Sequence, residues 1–159
     1  MTSRKIKSPG QLKKIIFRCK KGKKRIAFTN GCFDILHHGH ISYLEAAKNK
    51  ADILVVALNT DVSIKKIKGL SRPIMKLKDR QSIVAALACV DYVTSFNETT
   101  PLNLIKEIKP DLIIKGADWK VNDIVGGKFV SSYGGKAVNV KYLKGYSTTD
   151  IIEKIKNGL

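Results

Sequence analysis

The chain has 159 residues, 43% of them hydrophobic and 27% charged, and its formal net charge is +17. This balance is typical of one globular domain, and we expect neither a membrane-spanning segment nor a secretory signal. Three cysteines without C-x-x-C spacing argue against a disulfide framework, so we expect a cytoplasmic protein.

The positive charge is concentrated in two stretches. Residues 1–25 hold eleven Lys or Arg and no acid, and residues 65–80 hold seven against one acid. Lysine outnumbers arginine 25 to 5, and aromatic residues are not interleaved with the basic ones, which differs from a nucleic-acid-binding surface. We therefore predict phosphorylated small molecules as partners, and neither nucleic acid nor a membrane. A lysine-rich composition without a binding role is the alternative interpretation.

Helix and strand signals alternate along the chain. The first helix is predicted at residues 8–21, where Ser8 is the N-cap, Pro9 opens the helix and Gln11 completes a capping box. Five apolar runs predict buried strands, at residues 25–29, 52–58, 92–96, 111–116 and 137–143. Further helices are predicted at residues 38–49, 79–90, 99–109, 121–133 and 147–156. Thr100 and Ser147 are the expected N-caps of two of them.

This alternation predicts an α/β fold, a Rossmann-like doubly wound sheet of five parallel strands with helices on both faces. We expect a single domain over residues 1–159. In it, a basic N-terminal helix in residues 1–24 precedes a core in residues 25–159.

The stretch FTNGCFDILHHGH, residues 28–40, follows the first predicted strand and contains all three histidines. Parallel sheets bind ligands at this end of their strands, and a helix start offers N–H groups to an anion. Gly31 would allow a sharp turn, and Gly39 would leave room for a phosphate beside the helix. His37 and His40 are three residues apart and would share a helix face. Their imidazoles could donate to phosphate oxygens and stabilise charge during phosphoryl transfer.

The histidine cluster also permits a metal-binding or a purely structural role. The three side chains could bind a metal together with Cys32 or Asp34, although a helix start is unfavourable for a cation. They could also be structural caps. The chain contains neither G-x-G-x-x-G nor G-x-x-x-x-G-K-[ST], which argues against a dinucleotide-binding dehydrogenase and a P-loop protein.

GCFDILHHGH, residues 31–40, resembles the signature of the cytidylyltransferase-like nucleotidyltransferases, whose H-x-G-H motif falls here on residues 37–40. KGADW (115–119) and GYSTTDII (145–152) lie where the resemblance expects them. When VDYV, DIVGG and residues 101–119 are added to these motifs, the chain most resembles the heptose 1-phosphate adenylyltransferases. The resemblance implies transfer of AMP from ATP to D-glycero-β-D-manno-heptose 1-phosphate. The products would be pyrophosphate and ADP-heptose, which serves lipopolysaccharide core synthesis.

The resemblance also implies roles for individual residues. Three are expected to be catalytic: His37, His40 and Lys68. A larger group is expected to bind the nucleotide: Thr29, Asn30, Gly31, Cys32, Phe33, Gly39, Arg80, Gly116, Asp118, Ser147, Thr148 and Thr149. Three are expected to bind the sugar phosphate: Asp34, Lys66 and Arg72. We expect no protein metal site, and Mg²⁺ would arrive with ATP. Core packing of Phe33 and plain capping by Ser147 are the structural alternatives.

Three alternatives to heptose adenylylation remain. Glycerol-3-phosphate cytidylyltransferases are similar in this region but carry an arginine near the position of Tyr142, which weakens that alternative. An enzyme resembling FAD synthetase and a basic nucleic-acid-binding module without catalysis are the others. Relatives are commonly homodimers, and the unit is often fused to a sugar kinase. We therefore expect a homodimer and a separate heptose kinase.

Overall fold

Five parallel strands form the centre of the fold in the computed structural model, which describes residues 2–117, 119–141, 143 and 145–158. The strands are β1 Ile26–Gly31, β2 Ile53–Asn59, β3 Tyr92–Phe96, β4 Leu112–Gly116 and β5 Lys136–Val140. Their order in the sheet is β3-β2-β1-β4-β5, and each neighbouring pair is parallel. The predicted Rossmann-like sheet is therefore confirmed. The strand order reverses between β1 and β4, where such sheets bind ligands.

Helices cover both faces of the sheet. They are α1 Pro9–Lys21, α2 His38–Lys48, α3 Asp61–Lys68, α4 Leu77–Ala86, α5 Leu102–Ile108, α6 Gly127–Ser131 and α7 Thr148–Asn157. Single 3-10 turns occur at Thr2–Arg4 and Val121–Asp123. The N-cap of α1 is as predicted, because Ser8 and Gln11 exchange side-chain and backbone hydrogen bonds. None of the helices in the described ranges is long and apolar enough to span a bilayer.

Three helix predictions differ from the structure. The helix predicted over 121–133 is replaced by the second 3-10 turn and the short α6. The break between them comes at Gly126, whose φ of 85° is left-handed. Thr100 is not a cap, because α5 begins only at Leu102 and Pro101 occupies the cap position. The short, lysine-rich α3 lies outside the predicted helices, although Thr60 caps it by accepting the Ser63 N–H.

Each face of the sheet has its own apolar core. Ala27, Leu54 and Val56 pack under α2 and α4 on one face, while alternate residues such as Phe28 and Val55 pack under α1 and α5 on the other. Burial on both faces explains why the strands read as near-continuous apolar runs. Two fully buried residues of α1, Leu12 and Ile16, belong to the second core, so the basic N-terminal helix packs into the fold.

Candidate active site

A cavity of about 460 Å³ opens at the carboxyl ends of the strands, beside the point where the strand order reverses. Its walls come from the loop after β1, the ends of β2 and β4, the segments before α4 and α5, and the start of α7. The cavity brings together many of the predicted site residues: Asn30, Gly31, Cys32, Phe33, Asp34, His37, His40, Lys68, Arg72, Ser147, Thr148 and Thr149.

The other predicted site residues lie elsewhere. Thr29 is fully buried and shares a 2.6 Å hydrogen bond with the Tyr43 hydroxyl, so it supports the loop from below. Lys66 is exposed on α3, away from the cavity lining. Gly116 lines an adjoining pocket of about 190 Å³ next to β4. Asp118 lies outside the described residues, as does Tyr142.

His37 and His40 form a stacked pair at the start of α2. His37 is the N-cap residue and His40 lies in the first turn, with ring centroids 3.8 Å apart and planes inclined by 21°. The Nδ1 atoms of both rings are buried and have no hydrogen-bond partner among the described residues. Buried polar atoms are normally paired, so these two nitrogens are available to a ligand. The shared helix face that the spacing predicts is present.

Burial changes the charge of the two imidazoles. Burial, with a contribution from neighbouring His37, lowers the pKa of His40 to about 4. Burial also lowers the pKa of His37, although Asp150 opposes the change. Both rings are therefore neutral near pH 7, and each has one N–H donor.

The two glycines of this loop make room for side chains. A Cβ at Gly31 would lie 2.9 Å from the ring of Phe33, which is buried and has a left-handed φ of 46°. The Phe33 ring in turn packs against His40 at a centroid distance of 5.2 Å. A Cβ at Gly39 would lie 3.0 Å from the Cβ of Tyr146 and 3.1 Å from the His37 ring. The sequence predicts that Gly39 leaves room for a phosphate, but the groups that approach it here are His37 and the segment leading into α7.

Asp34 orients Arg72. The carboxylate is 2% exposed and accepts hydrogen bonds from the N–H groups of Ile74 and Met75 and from Arg72 Nε, the last at 2.7 Å. Burial alone would raise the pKa of Asp34, but these hydrogen bonds outweigh burial and lower it. Both carboxylate oxygens are occupied, so the geometry favours orientation of a basic partner over direct contact with a sugar. Arg72 itself lines the cavity.

Arg80, a predicted nucleotide-binding residue, is not among the residues that line the cavity. The side chain is fully buried and donates to three backbone oxygens, those of Cys32 at 2.6 Å, Asn59 at 2.9 Å and Met75 at 3.0 Å. It also donates to Asp61 Oδ1 at 2.7 Å. A buried guanidinium with these partners fixes the loop after β1 against β2 and the segment before α4. The sequence shows an arginine in a basic stretch but gives no sign of its burial.

Lys115 is a cavity residue outside the predicted set. Its Nζ donates to the Asn30 carbonyl at 2.9 Å and lies 5.5 Å from the centre of the Trp119 ring. Asn30 Oδ1, close by on β1, is buried without a partner among the described residues. A lysine inside the apolar run of β4 is the sequence signal that could have identified it. Thr99 and Thr100 also line the cavity. They follow β3 at the same edge of the sheet as the loop after β1.

Cys32 is not activated for chemistry. Burial raises the pKa of its thiol, although the charges of Lys68, Arg80 and Arg72 oppose the change. A protonated thiol is a weak nucleophile, so a packing role fits better.

The first strand of the parallel α/β sheet leads into an H-x-G-H helix start, beside a cavity lined by cations. These features, with the family match, place the chain in the nucleotidyltransferase class. The chain belongs to the cytidylyltransferase-like family, whose family model matches residues 28–154. It is 48% identical over 151 residues to the bifunctional protein HldE of Geobacter sulfurreducens, covering 95% of this chain and 31% of that protein. HldE of Haemophilus influenzae (strain PittGG) is 49% identical over 151 residues, with 95% and 32% covered. The chain thus spans about a third of the length of these relatives.

Solved structures show the same fold. The lipopolysaccharide core biosynthesis protein from Thermoplasma volcanium superposes with a TM-score of 0.65 at 30% identity, over 76% of this chain and 99% of that one. Pantoate-beta-alanine ligase from Francisella tularensis, complexed with beta-gamma ATP and beta-alanine, gives a TM-score of 0.64 at 19% identity, over 95% and 76%. The second likeness concerns the fold alone.

Proposed function

We propose that this chain transfers AMP from ATP to a sugar 1-phosphate, namely D-glycero-β-D-manno-heptose 1-phosphate, and makes ADP-heptose for lipopolysaccharide core synthesis. The observation that carries the proposal is the stacked His37–His40 pair, whose unpaired ring nitrogens adjoin a cavity lined by Lys68 and Arg72. The high identity to the HldE relatives and the heptose-type motifs of the sequence support the choice of substrates.

The proposed reaction is one in-line displacement. A phosphate oxygen of the sugar phosphate attacks the α-phosphorus of ATP, and the bond from that phosphorus to the oxygen bridging the β-phosphate breaks. Pyrophosphate leaves with the electron pair, and no covalent enzyme intermediate forms. Catalysis then consists of positioning and of stabilising the charge on phosphoryl oxygens. Neutral His37 and His40 donate N–H groups, and Lys68 supplies positive charge.

Mg²⁺ fits this site as a companion of the nucleotide. The described residues contain no group of three or more His, Cys, Asp or Glu that could hold a metal. Asp34 lines the cavity, but its oxygens are engaged by Arg72 and two backbone N–H groups. Mg²⁺ commonly binds through substrate phosphates and keeps several waters, so a protein cage is not required. When bound, it would neutralise phosphate charge.

The start of α7 is the proposed second contact with the nucleotide phosphates. Ser147, Thr148 and Thr149 line the cavity, and Ser147 Oγ caps the helix by accepting the Asp150 N–H at 3.0 Å. Thr148 Oγ1 donates to the Ile35 carbonyl at 3.4 Å, which links α7 to the histidine loop. We place the enzyme in the cytoplasm as a homodimer, and a sugar kinase must supply its sugar 1-phosphate.

Pyrophosphate release over a matrix of substrates tests the proposal. The nucleotides are ATP, CTP, GTP and UTP, and the acceptors are heptose 1-phosphate, glycerol 3-phosphate and flavin mononucleotide. We expect the highest kcat/KM for ATP with heptose 1-phosphate. A higher value for CTP with glycerol 3-phosphate, or for ATP with the flavin, would replace the proposed substrates while leaving the H-x-G-H chemistry in place.

A further inference from the structure

The strand order divides the cavity into two sides. β4 and β5 lie on one side of β1, where Lys115, Trp119 and the adjoining 190 Å³ pocket are found. β2 and β3 lie on the other side, and their ends contribute Asn59, Thr99 and Thr100 to the lining. These last three residues are here called the polar wall. None of them belongs to the predicted site.

Hydrogen bonds to the start of α3 fix the position of the polar wall. The segment after β3 is fastened to the start of α3 by two side-chain hydrogen bonds, Thr60 Oγ1 to Asn97 Oδ1 at 2.7 Å and Ser63 Oγ to the Glu98 carbonyl at 2.6 Å. Asn59 Nδ2 donates to the same Ser63 hydroxyl at 2.9 Å. Lys68, which lines the cavity, is the last residue of this helix. One short helix therefore positions both the wall and a cation that faces the ligand.

The wall offers polar groups that the fold does not use. The side chains of Thr99 and Thr100 are exposed and line the cavity, and their hydroxyls make no hydrogen bond to any described residue. Asn59 uses its amide nitrogen within the protein and keeps its Oδ1 as an acceptor. Two hydroxyls and an amide oxygen on a rigid support suit a ligand that carries several hydroxyl groups.

We propose that Asn59, Thr99 and Thr100 bind the hydroxyl groups of the acceptor sugar, while Arg72 and Lys68 bind its phosphate. This inference rests on the proposed function and adds the residues that select the acceptor. A site that pairs several sugar hydroxyls favours heptose 1-phosphate over glycerol 3-phosphate, because the smaller ligand leaves wall groups unpaired.

Valine substitutions test the wall, because valine keeps the shape of threonine and removes the hydroxyl. We expect Thr99→Val and Thr100→Val each to raise KM for the sugar phosphate about tenfold, the effect of losing one hydrogen bond to a ligand. KM for ATP and the affinity for a non-hydrolysable ATP analogue, measured by calorimetry, should stay within about twofold. The double variant should also lose much of its preference for the larger acceptor.

Thr94→Val is the matched control. Thr94 lies on β3, is fully buried with a hydroxyl that has no partner among the described residues, and does not line the cavity, so its kinetics should equal those of the wild type. An unchanged KM for the sugar phosphate in the double variant would overturn the proposal that the polar wall binds the sugar, while the proposed function stands. A wild type that prefers another sugar phosphate overturns the heptose assignment. The KM of the variants for that preferred acceptor then tests the polar wall. A wild type that uses no polyhydroxylated phosphate overturns both.

Discussion

At the scale of single residues, the site is built around two imidazoles that stack at 3.8 Å. Rings this close repel each other when both are protonated, and burial adds to the cost of charging them. The neutral pair is supported by Phe33 against His40, and Gly31 leaves space for that phenyl ring. The sequence predicts the shared face of the histidines from their spacing. It does not predict the support, which depends on the left-handed backbone of Phe33.

Substitution of either cavity histidine should impair chemistry more than binding. We expect His37→Ala and His40→Ala to lower kcat by about a hundredfold, the usual effect of losing one transition-state donor, with a much smaller change in ATP affinity. His38→Ala is the matched control, because His38 does not line the cavity. Single-turnover and calorimetric measurements separate the two effects. Equal losses in all three variants would contradict the assignment.

Protonation of His40 should destabilise the folded protein in acid. The unfolded chain binds a proton at this imidazole near its ordinary pKa of 6.5, and the folded chain does so only near 4. The unfolded state therefore binds more protons between these values, so stability falls as pH is lowered from about 6.5 to 4. Tm measured against pH should decline less steeply over this window in His40→Gln. A parallel decline in both proteins would assign the acid sensitivity to other groups, such as His37, whose pKa is also lowered by burial.

At the scale of elements, hydrogen bonds of the buried Asp34 and Arg80 side chains hold the loop after β1 against the segment before α4. Asp34 binds Arg72 and the backbone beyond it, while Arg80 binds the carbonyls of Cys32 and Met75. The strands and most helices could be predicted from the sequence, because hydrophobic periodicity and helix caps are local properties. These tertiary hydrogen bonds could not be predicted, because an arginine that binds phosphate and one that binds carbonyls look alike in a basic stretch.

Arg80→Lys should damage both stability and activity. A lysine keeps the charge but cannot reach four acceptors with one ammonium group, so we expect a loss of at least about 2 kcal/mol in the free energy of unfolding. Because the substituted residue acts through the loops, kcat/KM should fall for ATP and for the sugar phosphate alike. Denaturant unfolding and steady-state kinetics measure the two effects. Arg18→Lys, on the exposed face of α1, is the control, and a similar response there would exclude a specific role for Arg80.

At the scale of the whole molecule, three aspartates lie at the edge of the sheet where the strands begin. Asp52, Asp91 and Asp111 each precede a strand and accept a backbone N–H at the start of a neighbouring strand. They also pair with lysines at that end, as in Lys48–Asp91 at 2.6 Å. The opposite edge has the cavity, where the carboxylate of Asp34 is already engaged. Lys68, Arg72 and Lys115 also line the cavity, so positive charge faces the site where phosphates are proposed to bind. The aspartates are visible in the sequence, but the pairing of strand ends is a product of the fold.

Binding to nucleic acid should be weak despite the net charge of +17. If the charge reflects the binding of small phosphates and a lysine-rich composition, binding to duplex DNA is purely electrostatic. It should then disappear by about physiological salt. Fluorescence anisotropy with a labelled duplex, titrated in NaCl, measures this dependence. Binding that survives such salt and distinguishes between sequences would instead favour a nucleic-acid partner.

The first residues of the chain also protect an edge of the sheet. Lys7 N–H donates to the Val93 carbonyl at 2.8 Å, and Val93 N–H donates to the Lys5 carbonyl at 2.9 Å, so this segment runs beside β3 as a short parallel extension. An outer strand with unpaired backbone groups is a template for pairing with another chain. Coverage of β3 by its own N-terminal segment, which carries lysines, disfavours fusion of sheets between molecules along this side.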